Sequence, residues 1–256
     1  MARSENSTVM EIRVLSTHEE FREAVALQKG IWGFKDVDLL PLRLFVVASK
    51  IGGEALGAFA SGRMIAFSLA IPGIKPDGKH YWHSHMLGVL PEYRDTGVGR
   101  RMKLRQRENA LKRGLDLIEW TFDPLELKNA YFNIERLGAV VRRYVLNQYG
   151  MTSSRLHAGL PTDRCVAEWW LAHERVRRVI EEGKPAQRPE AAARIVVPSD
   201  IGEIRHTHPK RAREIQAHVS EQFVRLFSEG LAVVGFERRP GEGVYLLAPW
   251  DSESSA

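Results

Sequence analysis

His83-Ser-His-Met-Leu-Gly-Val-Leu-Pro-Glu-Tyr-Arg-Asp-Thr-Gly-Val-Gly-Arg-Arg101 decides how this chain is read. Residues 81–89 read as a strand that Pro91 ends, and Arg94-x-x-Gly97-x-Gly99 then opens a basic helix over residues 97–113 with Gly114 as its stop. Glycines at a helix start let the backbone approach a ligand closely, and the first-turn N–H groups with the helix dipole attract a phosphate or pyrophosphate. A P-loop needs Gly-Lys-Ser/Thr where this chain has Gly99-Arg100-Arg101. A dinucleotide fingerprint needs its first glycine directly after the strand and a small residue where Met102 stands. Only Glu119, about 20 residues on at the end of a strand, speaks for that design.

The strand feeding this turn carries titratable groups. His83 and His85 are two apart, which on an extended strand places both on one face, with Leu87 and Val89 following on that face. Imidazole titrates near 6.5, a value suited to a base at neutral pH. The plainer reading is that both histidines satisfy buried polar groups. With His80 they also suggest a metal, but no cysteine or acidic partner stands at ligand spacing, so no metal is expected.

Upstream, residues 16–30 open with Ser/Thr, place acids in the first turn and end at Gly30, an amphipathic helix. Strand runs follow at 54–60 and 64–71 around the turn Ser61-Gly-Arg63. Downstream come a strand at 115–122, a helix at 125–137 stopped by Gly138, and strands at 139–149 and 164–171. The segment 183–193 is Pro/Ala/charge-rich without periodicity and reads as a linker. Beyond it lie a short strand near 194–197, a helix over 209–228, and a hairpin of 231–238 with 244–249. The expected domains are therefore 11–171, a helix and linker at 172–193, and a small accessory α/β module at 194–250. That module is read as packed on the first domain, with a homodimer interface as one place for it.

Composition narrows the class. A length of 256 residues is enough to bury a core without disulfides. No apolar run approaches the roughly 20 residues of a membrane-spanning helix, and the N-terminal MARSENSTVM has no apolar export signal. The one cysteine, Cys165, sits in an apolar segment and fits a reducing cytoplasm, as a small buried hydrophobe and not a nucleophile. The net charge of +5 suits an anionic ligand, but no nucleic-acid recognition motif accompanies it.

The order of elements and the stretch Leu87-Gly-Val-Leu-Pro-Glu-Tyr-Arg-Asp-Thr-Gly-Val-Gly99 resemble the GNAT superfamily of acyl-CoA-dependent N-acyltransferases. Its signature is an apolar strand, a Pro-containing turn and Arg/Gln-x-x-Gly-x-Gly/Ala, matched by Arg94, Gly97 and Gly99 within residues 11–171. The resemblance implies an α/β (α+β) fold with a mixed, mostly antiparallel central sheet flanked by helices on both faces. It implies acetyl-CoA or another acyl-CoA as donor, its pyrophosphate cradled by the N–H groups of Asp95, Thr96, Gly97, Val98, Gly99 and Arg100. It further implies that pantetheine pairs with Leu87 and Val89 and meets Asn129, and that an N–H near Leu87 polarises the thioester carbonyl. Arg100, Arg101 or Lys103 would meet the nucleotide phosphates.

The pattern His83-x-His85-x-Leu87-x-Val89 is similar to that of the arylalkylamine N-acetyltransferases, whose paired histidines relay the substrate proton through water. One departure stands out: Ile134 occupies the position where many members carry a tyrosine that protonates the thiolate, and Tyr131 lies three residues away. Trp32, Phe34, Leu39, Leu40 and Phe45 are candidates to cover an aryl or alkyl amine, or else ordinary core. The expected function is a cytoplasmic N-acyltransferase acting on a small primary amine, acetyl being the expected group. The alternative is a CoA-responsive regulatory module with little turnover.

Overall fold

Residues 10–150 and 159–250 are described by the computed structural model, in two compact units, one ending at Gly114 and the other beginning at Leu115. In the first unit Thr17 starts helix α1 (His18–Trp32) with a capping box: its hydroxyl accepts from the Glu20 N–H at 3.2 Å, and Glu20 Oε2 accepts from the Thr17 N–H at 3.0 Å. The helix runs past the expected stop at Gly30, because Ile31 is buried in the core and Trp32 packs beside it; the chain turns out at Gly33 instead. Helix α2 (Leu42–Lys50), which the sequence reading left out, buries Phe45 and Ala48, three residues apart on one side.

Strands β1 (Glu11–Val14), β2 (Glu54–Ala60), β3 (Arg63–Ile74) and β4 (His80–Val89) pair antiparallel in that order. The turn expected at Ser61-Gly62 joins β2 to β3, and β1 was too short to show an alternation. Alternating side chains, with a bulge at Ile65 in β3, then supply two cores. Phe21, Phe45, Phe67 and Leu69 fill one face with α1 and α2. Leu56, Ala58, Ile65 and Ala66 meet Val98 and Met102 of helix α3 (Val98–Lys112) on the other. Helices thus cover both faces of this sheet, as expected.

The second unit comprises β5 (Leu117–Phe122), α4 (Leu127–Tyr131), β6 (Val140–Val145), β7 (Arg164–Trp170), α5 (Glu174–Ile180), β8 (Ala193–Pro198), α6 (Ile201–Thr207), α7 (Pro209–Ser228), β9 (Leu231–Arg239) and β10 (Glu242–Pro249). Its strands run β5-β7-β6-β9-β10-β8, each pair antiparallel, with β9 joined to β6 at Val141 opposite Val233. The helix expected over 125–137 is α4 followed by a π-helical turn at Phe132–Arg136, and the strand expected over 139–149 stops at Val145 where a turn begins. The linker is tied down: Arg188 bridges Glu135 and Glu237, both at 3.2 Å. Among the described residues no helix is long and apolar enough to cross a membrane.

Candidate active site

Strand β4 carries the histidines, and it is not regular. Ala70 stands opposite Ser84 and Leu69 opposite Met86, so His85 is an extra residue in β4, a β-bulge. The bulge resets the alternation. His83 lies opposite Ile71 and Met86 opposite Leu69, on the side of the α1–α2 core, whereas Leu87 opposite Ser68 and Val89 opposite Ala66 pack toward α3. The reading that placed His83, His85, Leu87 and Val89 on one face is therefore corrected, because it assumed unbroken alternation. The histidines themselves stay together, their ring centroids 5.8 Å apart. Burial lowers the His85 imidazole below the usual histidine value, which keeps it neutral at neutral pH.

On the same side as His83, Gly88 lies beneath the indole of Trp32. A Cβ at Gly88 would fall 2.6 Å from that ring, so only glycine admits the close approach. Trp32 stacks on Phe34 at 5.5 Å and meets Phe67 edge-on at 5.9 Å. Trp32 and Phe34 are half-buried, while Phe45 is fully buried core and Leu40 is held by Gln28, whose Oε1 accepts its N–H at 2.9 Å. Of the acceptor candidates, Trp32 is placed against β4 at Gly88, with Phe34 stacked on it.

After β4 the backbone builds an anion-ready turn. Leu90 donates to Ile65 O of β3 at 2.9 Å, so strand alternation directs the N–H groups of Leu87 and Val89 away from β3. Arg94 is structural: Nη2 donates to Ile31 O at 3.0 Å and Nε to Val89 O at 3.3 Å, joining the end of α1 to the end of β4. Asp95 has φ 62°, Thr96 donates its hydroxyl to Tyr93 O at 2.7 Å, and Gly97 caps α3 at φ 86°, a left-handed conformation that favours glycine. No side chain caps this helix, and its first intrahelical bond is Arg101 N–H to Gly97 O. The N–H groups of Val98, Gly99 and Arg100 belong to that uncapped first turn. A Cβ at Gly99 would make only ordinary contact with Leu87 and Val89, while Arg100 Nε is enclosed without a protein partner.

Lys103 corrects a second expectation. It is only 3% exposed, donating to Ser84 Oγ at 2.8 Å and to Gln106 Oε1 at 3.2 Å, so it does not face outward toward phosphates. It belongs to a polar layer between α3 and the sheet, where Asn109 also donates to Glu54 Oε2 at 2.6 Å. Burial brings the Lys103 amine down to about 7 and the Glu54 carboxyl up to about 7. The sequence reading missed this layer; polar side chains at 103, 106 and 109, stepping by three along a helix with Val98 and Met102 buried, were its signal.

In the second unit Asn129 is exposed on α4, Ile134 is fully buried, and Tyr131 lies under the Arg238 guanidinium at 4.0 Å. Glu119, the residue that spoke for a dinucleotide, is buried in an ion pair with Arg143 at 2.6 Å. Cys165 is buried and its thiol is pushed well above the usual range, which leaves no thiolate for chemistry. Trp169 is buried, donating to Leu137 O at 2.7 Å, whereas Trp170 is half-buried near Arg142. Among the described residues no group of three or more His, Cys, Asp or Glu side chains is placed to hold a metal ion.

The fold is that of the GNAT acyl-CoA N-acyltransferases. Arabidopsis thaliana Naa50 in complex with a bisubstrate analogue, CoA-Ac-MVNAL, superposes with a TM-score of 0.50 at 14% identity, over 62% of this chain and 97% of that one. An acetyltransferase of the GNAT family from Streptococcus pneumoniae gives 0.50 at 15% identity, over 62% and 98%. An aminoglycoside 6'-acetyltransferase type Ii gives 0.50 at 16% identity, over 63% and 97%. No protein-family model matches the sequence, and no curated protein is similar to it.

Proposed function

We propose that this chain is an acyl-CoA-dependent N-acyltransferase that moves an acetyl group from acetyl-CoA to the primary amine of a small molecule, by direct attack in a ternary complex. The observation that carries the reading is the uncapped start of α3, opened by Gly97 at φ 86° directly after a bulged strand that holds two adjacent imidazoles. The turn suits a pyrophosphate: it offers first-turn N–H groups, open space at Gly97 and the enclosed Arg100 Nε. In this reading Asp95 to Arg100 hold the pyrophosphate, Leu87 and Val89 pair with pantetheine, and Asn129 keeps the contact that the family resemblance assigns to it. Bound acetyl-CoA supplies an activated acyl carbonyl.

The protein's part is proton handling and orientation. A protonated amine loses a proton to bulk solvent on binding, and His85 then takes the remaining ammonium-type proton as the nitrogen attacks, directly or through a water shared with His83. Its lowered basicity keeps the imidazole neutral and ready to accept. The Leu87 N–H is the proposed donor to the developing oxyanion. With Ile134 buried at the usual tyrosine position, the departing thiolate takes its proton from water. That same isoleucine favours one second reading, a CoA-responsive module with little turnover. We also propose the division 11–171, 172–193 and 194–250, a homodimer and a cytoplasmic location.

Calorimetric titration with acetyl-CoA and CoA, beside Gly97→Glu, tests the donor site. Saturable binding that the added carboxylate abolishes supports it, and absence of binding refutes it. Thiol release with an amine panel separates enzyme from module. For an enzyme, His85→Gln is expected to lower kcat by about 10²–10⁴-fold, and an unchanged kcat/KM would remove His85 from the mechanism.

A further inference from the structure

The polar layer under α3 has no part in the function proposed above, yet it ends at the bulge. Lys103 bonds the hydroxyl of Ser84, the residue that stands opposite Ala70 on one side of the extra residue His85. Gln106 braces the same amine one helical turn on, and Asn109 continues the line to Glu54, which lies opposite Ala70 on β2. Glu54, Ala70 and Ser84 are therefore one cross-strand row, and α3 grips both ends of it. Such a layer is a poor way to hold a helix on a sheet. Glu54 Oε1, Ser68 Oγ and Gln106 Nε2 are enclosed there without a protein partner, and apolar side chains of similar volume would pack at no desolvation cost. What the polar side chains add is direction: an ammonium that donates to one hydroxyl fixes that strand residue where van der Waals packing would let it slide.

We propose that Lys103 is a positioning residue, which through Ser84 pins the register of the β4 bulge and so sets where the His85 imidazole stands. The inference rests on His85 serving as the base. A bulge has a neighbouring alternative, in which the extra residue moves one place along the strand and the next side chain changes sides. Were it to move to Ser84, that hydroxyl would leave Lys103; the bond therefore opposes that shift. Among the described residues, β3 sets Leu69, Ala70 and Ile71 opposite this stretch, the His83 ring stands beside His85, and Lys103 and Glu54 are buried ionisable groups on the α3 side.

The test compares Lys103→Met and Ser84→Ala with the unaltered chain. The first readout is the imidazole nuclear magnetic resonance of His85 in the ligand-free protein, assigned with His85→Gln and followed as a function of pH. The second is the pH profile of kcat and the KM for acetyl-CoA. A positioning role predicts that both variants shift the His85 resonance and its titration midpoint, and that Ser84→Thr, which keeps the hydroxyl, restores them. It also predicts a kcat lower by about 10²-fold, the order expected for a base displaced by about 1 Å, with KM for acetyl-CoA unchanged. A His85 resonance and midpoint that stay put in both folded variants overturn the proposal, and Ser84→Ala decides if Lys103→Met does not fold. Should no amine be acetylated, the acyltransferase reading fails by itself and the resonance still decides the positioning.

Discussion

Glu54→Gln probes the charge state of the layer that α3 covers. The carboxyl is 2% exposed, and burial outweighs the Asn109 hydrogen bond and the fields of Arg113 and Arg105, so its pKa rises from 4.5 to about 7. A carboxyl whose pKa is raised by folding binds its proton more tightly in the native chain than in the unfolded one. Its contribution is then complete below 4.5 and is lost as pH climbs toward about 7. Each pH unit in that window is worth about 1.4 kcal/mol, so the native state surrenders about 3 kcal/mol across it. The amide of the variant has the same shape, retains an oxygen for Asn109 and does not ionise. Urea unfolding of both proteins from pH 4.5 to about pH 8 gives the difference, in which groups titrating alike in the two chains cancel. The variant should gain on the parent by about 1.4 kcal/mol per pH unit and level off above about 7. A difference that stays constant over this range would show that the layer is wet enough to carry the charge, and the desolvation reasoning for Lys103 would fall with it.

Gly88→Ala places a methyl 2.6 Å from the Trp32 ring and 2.8 Å from Ile31 Cδ1, and should cost about 1–3 kcal/mol in urea midpoint, with no loss if the indole can swing away. Arg205→Met leaves Asp123 and Glu126 without the guanidinium that each contacts at 2.8 Å, an expected loss of about 3–5 kcal/mol. Because burial already raises the Glu126 carboxyl, that loss should deepen as pH rises, and a pH-independent loss would contradict the assignment. Thr17→Ala removes the α1 cap and should lower stability by about 1 kcal/mol, read from the thermal midpoint.

What could be read from sequence was what short-range chemistry determines. The β2–β3 hairpin followed from Ser61-Gly62 between apolar runs, and α7 falls on residues 209–228 because Pro209 starts it and apolar spacing carries it through. The turn after β4 was legible for the same reason, since Gly97 announces a left-handed residue at a helix start. Three features depend on partners distant in sequence and were not legible. The end of α1 depends on Ile31 entering the core, the bulge at His85 on where β3 pairs, and the burial of Lys103 on a serine 19 residues earlier. Charge was the misleading signal at Lys103. In a run of arginines it reads as one more solvated cation, and only the three-residue step to Gln106 and Asn109 sets it apart.

The bulge also resolves a conflict that regular alternation would create. In the proposed reading β4 presents the backbone of Leu87 and Val89 to the thiol arm of the donor, and both side chains are anchored against Val98 and Met102 of α3. Were β4 regular, an imidazole at 85 would share that side and lie in the interface with α3, where a base would be shut away from any amine. The extra residue instead leaves His83 opposite Ile71, on the side of Met86, Trp32 and the α1–α2 core, while Leu87 and Val89 keep the α3 side. One strand thereby serves two faces within five residues. The cost is a local loss of pairing, and the buried amine at Ser84 lies where that loss must be contained.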